Sequence, residues 1–139
     1  MEIFAPYRWA LVALAVYAVV GSTLGALSAI RKDKRGMAPG ATHAPDYANP
    51  DYRLDRTYMN TQEMLAFVAP VILCAVLAGV GALWVNLAAL GMLAARIAFV
   101  VVYLRGVGRG YGGLRTNIVI VHNILLTGLA LAVVAVALF

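Results

Sequence analysis

Residues 64–95 form a run of 32 positions without a single Lys, Arg, Asp or Glu. As one helix this run would rise about 48 Å, well beyond a bilayer hydrocarbon core of about 30 Å, so it cannot be a single span. Gly79-Val80-Gly81 lies near its middle and supplies a turn that divides it into two helices. Two further uncharged runs, 9–30 and 116–139, have 22 and 24 residues, each enough to cross a membrane. Only 12% of the chain is charged and 63% is hydrophobic. That is half the charged share of about 25% usual in globular chains, too little to cover a soluble surface or to keep a chain disordered. Cys74 is the one cysteine, which excludes a disulfide-stapled secreted domain. The first run is a full span, not the roughly 7–15-residue core of a cleavable signal.

The expected fold is therefore an all-α integral membrane protein, a single membrane domain over 1–139. Four transmembrane helices, at about 4–30, 55–79, 82–104 and 115–138, would form an up-down-up-down bundle. The hydrophilic stretch with Pro39, Pro45 and Pro50 reads as a loop, and so does the glycine-rich stretch around 106–113. The first loop holds Arg31, Lys32, Lys34, Arg35 and Arg53, and the second holds Arg105, Arg109 and Arg115; the 79–81 turn holds no cation. This asymmetry places both basic loops on the cytoplasmic side. The net charge of +5 thus reports topology, and no nucleic-acid partner is expected. The terminal Ala137-Leu138-Phe139 carries no retention signal, which fits a bacterial inner membrane.

Ionisable groups inside a span are costly and mark function by default. Arg56, Asn60 and Glu63 have spacings i, i+4 and i+7, which share one face of helix 2. Arg96, Phe99 and Tyr103 form a similar stripe on helix 3. Counted from the cytoplasmic ends of their helices, Glu63 and Arg96 each lie about 12 Å in. At matched depth on antiparallel neighbours they can pair, either as a structural ion pair that fixes register or as the wall of a shared cavity. The surplus of cations and amides at this edge suits a small anionic ligand.

Asn49-Pro50-Asp51-Tyr52, then Arg56-x-x-x-Asn60-x-x-Glu63, then Ala95-Arg96 with Tyr103, a basic loop and a last apolar helix together resemble the MAPEG family. These are the membrane-associated proteins in eicosanoid and glutathione metabolism. The likeness covers essentially the whole chain, and the helix 2 motif is its most specific part. It implies a homotrimer with glutathione as co-substrate, bound between neighbouring subunits at the cytoplasmic edge. By motif, Arg56, Asn60 and Glu63 would bind glutathione, with Arg96 and Tyr103 lining the same site. Arg31 stands where family members place another glutathione-contacting arginine. In the family's enzymes an arginine just after the helix 3–4 loop stabilises the glutathione thiolate. Arg115, which opens helix 4, takes that place, with Arg109 second. The implied activity is conjugation of lipophilic electrophiles or reduction of lipid hydroperoxides, with the apolar substrate arriving through membrane lipid.

Other residues carry smaller expectations. His122, with Asn123 and Thr127 near it, reads as an interhelical hydrogen-bonding group ahead of a proton relay. Cys74 reads as a small apolar filler, Pro70 as a kink, and Tyr7, Arg8 and Trp9 as interfacial anchors. Gly21-x-x-x-Gly25 serves either packing within the bundle or a contact between copies. Tyr111 could reach a ligand from its loop. His43 reads as solvated, and no residues have metal-ligand spacing. Two other functions fit four short spans: a non-catalytic lipid-binding scaffold of the same family, and a small multidrug exporter. The exporter needs a carboxylate in mid-membrane, and helix 1 has no charge between Arg8 and Arg31.

Overall fold

A computed structural model describes residues 2–108 and 112–139. A 3-10 turn, Glu2–Tyr7, leads into α1 (Arg8–Lys34), followed by α2 (Pro50–Leu77), α3 (Ala82–Leu104) and α4 (Leu114–Leu138). All four helices are long and apolar enough to span a membrane, and there is no strand among the described residues. They run up-down-up-down. The end at which α1 and α3 finish and α2 and α4 start is called the basic end, and the end holding the 78–81 turn the far end.

Two helices extend beyond their expected limits. α1 runs through the charged stretch to Lys34, because Arg31, Lys32 and Lys34 place cations in its last turn, where the helix dipole favours them. It stops at Gly36, whose φ of 66° turns the chain while its N–H bonds Asp33 O. α2 starts at Pro50, not near 55. Pro50 initiates the helix: at the first helical position its missing N–H would have had no partner anyway, and Asn49 caps it by accepting from Asp51 N at 2.8 Å. α2 ends at Leu77, and Gly79, with φ 72°, makes the tight turn into α3. α3 occupies its expected limits, and α4 begins one residue early.

The core is built from Ala10, Ala13 and Tyr17 of α1, Val68, Ile72 and Ala75 of α2, Val85, Ala89 and Met92 of α3, and Leu129 of α4. Gly21 and Gly25 let α1 approach α2 closely. A Cβ at Gly25 would lie 2.8 Å from the Tyr58 ring, and one at Gly21 would lie 2.9 Å from Gln62 Nε2. This pair therefore serves packing within the bundle. Thr57 and Thr61 are fully buried on the same helix, each hydroxyl donating to the carbonyl one turn earlier at 2.7 Å. α4 is the least embedded helix; only His122 and Leu129 are buried.

The far end is closed by neutral hydrogen bonds. Tyr7 is buried and donates to Val80 O at 2.8 Å, so it packs under the turn and is no interfacial anchor. Asn86 accepts from Ala10 N at 2.9 Å and donates to Pro6 O at 2.7 Å, tying the start of α1 to α3. Trp9 remains exposed, with the Arg8 guanidinium 5.4 Å from its ring. Cys74 is exposed on the outward face of α2 and fills no core gap. α2 continues through Pro70, which is also exposed.

Candidate functional site

The basic end is organised first by two carboxylates. Asp51, in the first turn of α2, accepts from Arg31 Nη1 at 3.0 Å and from Arg35 Nε at 3.1 Å. Asp55, one turn on and buried, takes Lys32 Nζ at 2.6 Å and the Ser28 hydroxyl at 3.0 Å. In the first turn of α2, Asp51 also meets the positive end of the helix dipole. Arg31 is thus joined to Asp51, although half of its side chain stays exposed. Arg53 serves the scaffold: its guanidinium donates to Leu104 O, Tyr47 O and Ala48 O, pinning the 35–49 loop and the end of α3 to α2.

Deeper in, Arg96 lies against α1 and α2 and is 2% exposed. Its Nε donates to the Tyr17 hydroxyl at 2.7 Å and its Nη1 to Asn60 Oδ1 at 2.8 Å. The Tyr17 hydroxyl also lies 3.4 Å from His122 Nε2, which brings α4 into the same cluster. The expected Glu63–Arg96 pair is not formed. Glu63 is exposed and makes no ion pair among the described residues. The depth was counted from a start near 55, whereas α2 starts at Pro50, and the azimuth is also wrong. Two residues advance a helix by about 200°, so Glu63 points away from the seam in which Thr61 is buried. Asn60 remains at the edge of that seam and meets Arg96 instead.

Toward the basic surface the α3 stripe continues as a ladder of cations and rings. The Arg96 guanidinium lies 4.9 Å from the Phe99 ring, and Phe99 lies 5.3 Å from Tyr103. Tyr103 meets Tyr47 edge-on at 5.3 Å. The Arg115 guanidinium lies 4.8 Å from the Tyr103 ring and 5.0 Å from the Tyr47 ring. Such stacking holds a cation without neutralising it. Pro45, Tyr47, Tyr52, Tyr103 and Arg115 line a cavity of about 360 Å³. Arg56 is half-buried, within Coulomb range of the Tyr103 hydroxyl, and among the described residues its hydrogen bond is to Met59 Sδ at 3.9 Å.

Of the residues singled out in the sequence, the fold brings Asn60 to Arg96, and Tyr103 to Arg115 with Arg56 nearby. It turns Glu63 outward and joins Arg31 to Asp51. Arg109 and Tyr111 lie outside the described residues. Tyr17, Tyr47 and Tyr52 were missed. A tyrosine in mid-span is a signal in itself, since its hydroxyl must find a partner there. No group of three or more His, Cys, Asp or Glu that could hold a metal occurs among the described residues. The arrangement is a cationic, aromatic-walled recess at one end of a membrane bundle, suited to an anion with some apolar surface. The MAPEG family model matches residues 8–135 of the chain. No curated protein matches it.

Proposed function

Because the chain belongs to the MAPEG family, the membrane-associated proteins in eicosanoid and glutathione metabolism, we propose that it is a glutathione-dependent transferase or peroxidase acting on lipophilic substrates. One observation carries this reading: the charge balance of the basic end. Asp51 and Asp55 are already engaged by Arg31, Arg35 and Lys32. Arg56 and Arg96 have no carboxylate partner among the described residues. A buried guanidinium held only by neutral groups favours an incoming anion strongly.

Glutathione brings two carboxylates, an ammonium and a thiol. Arg56 would take a carboxylate, Asn60 would hydrogen-bond the tripeptide, and Tyr103 would wall the pocket. Glu63 would receive the ammonium. An ionised carboxylate facing lipid is costly, so its exposed position also supports a second copy covering that face, as in a homotrimer with the site between subunits. Arg115, or Arg109, would stabilise the thiolate; lowering a thiol pKa from about 8.5 toward 7 needs such a cation. In the transferase reaction the thiolate sulfur bonds an electrophilic carbon, and a leaving group departs or the adduct takes up a proton. In the peroxidase reaction two glutathiones reduce a hydroperoxide to an alcohol and water and leave as the disulfide. The apolar substrate would approach through lipid along α4, where Ile120, Asn123, Ile124 and Thr127 line a shallow groove.

The test is thiolate difference absorbance of the purified protein mixed with glutathione at neutral pH. The expected result is a thiolate band with wild type, lost in the Arg115→Ala, Arg109→Ala double variant. Absence of the band in wild type, or its persistence in the double variant, overturns the catalytic assignment. A non-catalytic scaffold has one observation in its favour, the commitment of Arg31 to Asp51. Calorimetry decides between them, since a scaffold gives no heat with glutathione.

A further inference from the structure

Arg96 was expected to touch the ligand, but its surroundings give it different work. An arginine side chain only donates hydrogen bonds. The Asn60 amide must therefore turn its oxygen toward Arg96 Nη1, as it does at 2.8 Å. Its Nδ2 is left accessible and has no partner among the described residues. Flipping the amide would set N–H against N–H and leave the guanidinium unsatisfied, so the orientation is chemically fixed and not a matter of fitting.

The other side of Arg96 is held by Tyr17. The Arg96 Nε–H donates to the Tyr17 oxygen, which also lies 3.4 Å from His122 Nε2. A hydroxyl has one hydrogen and two lone pairs, so Tyr17 bonds His122 in either tautomer of the ring while still accepting from Arg96. Tyr17 and His122 are each 98–99% buried, and the Tyr17 ring also packs 5.5 Å from the guanidinium carbon. Three helices thus hold one guanidinium, with the Tyr17 and Asn60 oxygens both turned toward it.

We propose that Arg96 is a positioning residue: anchored by Tyr17 and His122, it locks the Asn60 amide with its NH2 group outward, so that the site selects a ligand with a carboxylate oxygen at that point. Tyr17 and His122 act through Arg96 and touch no ligand. This inference rests on the glutathione reading of the site and deepens it, because it states which end of the Asn60 amide meets the tripeptide.

The experiment is calorimetry on the purified full chain with two probes, glutathione and its diester, in which both carboxylates are neutral. Wild type, Tyr17→Phe and Asn60→Asp are compared, with melting temperature measured for each. Asn60→Asp keeps the acceptor for Arg96 but turns a negative oxygen outward. It is expected to weaken glutathione about 30-fold or more while changing the diester by less than about threefold, since the loss comes from like-charge contact. Tyr17→Phe frees Arg96 on one side and is expected to weaken glutathione about three- to tenfold, again with a smaller effect on the diester. A purely structural role would lower both affinities together with the melting temperature. The wild type supplies a second reading: with 15N-labelled asparagine, the Asn60 side-chain amide protons shift on adding glutathione. If wild type does not bind glutathione, the functional reading and this inference fall together. If it binds, but both variants keep the wild-type preference for the free acid or the Asn60 amide protons do not move, the positioning role is overturned and the glutathione site stands.

Discussion

The polar contacts at the two ends of the bundle differ in kind. At the far end they are neutral and closed: Tyr7 with Val80, and Asn86 with both Ala10 and Pro6, each group meeting one partner of opposite role. At the basic end the groups are charged and the partners run short. Asp51 and Asp55 answer three cations, while Arg56 and Arg96 make do with sulfur, amide, phenol and ring faces. In a low-dielectric setting a satisfied network rigidifies, and an unsatisfied charge looks for a ligand. The same four helices therefore carry a clasp at one end and, at the other, a cationic recess that we propose as the receptor.

The two ends should respond to substitution separately. The largest effect is expected for Arg56→Ala, which removes the charged contact proposed for the ligand. Glutathione affinity should fall about 10- to 100-fold with little change in melting temperature, measured by calorimetry and thermal denaturation. A loss of stability of the same size as the loss of binding would erase the distinction between the ends. Asn86→Leu is the reciprocal experiment. It strands the Ala10 N–H and the Pro6 carbonyl, and should lower stability by about 1–3 kcal/mol while the glutathione isotherm stays where it was. Weaker glutathione binding in that variant would show that the clasp shapes the receptor. The smallest effect belongs to Asp51→Asn. Its partners are at least half exposed, so stability should change by about 1 kcal/mol or less, and releasing Arg31 should tighten glutathione by no more than about threefold. Looser binding in this variant would mean that the Asp51 pairs orient Arg31 for the ligand.

The spans were legible because hydrocarbon permits few solutions: long uncharged runs must be helices, and the glycines at 79 and 81 had to mark the turn. The limits of α1 and α2 were less legible. A run of cations looks like the end of a span, but at a helix C-terminus it is favourable, and Pro50 looks like a breaker until it is seen to occupy the first helical position. In the site, helical rise put Glu63 level with Arg96 and made them partners, whereas Arg96 meets Asn60, one turn nearer the basic end. Rotation was the weak point. The stripe of Arg56, Asn60 and Glu63 straddles the edge of a seam whose centre is Thr57 and Thr61, and threonines do not advertise burial in a sequence. Tyr17 was hidden differently, since hydropathy counts it as apolar and its partners lie on α3 and α4, 79 and 105 residues away.

The shallow seating of α4 has a mechanical consequence. Its inner side is buried at His122 and Leu129, and Arg115 stands seven residues before the first of these, about 10 Å along the axis, against the Tyr103 and Tyr47 rings. A tilt of α4 would carry that guanidinium with it. Pressure on the outer flank of the helix, from lipid or from a second copy, would therefore be felt at the mouth of the recess.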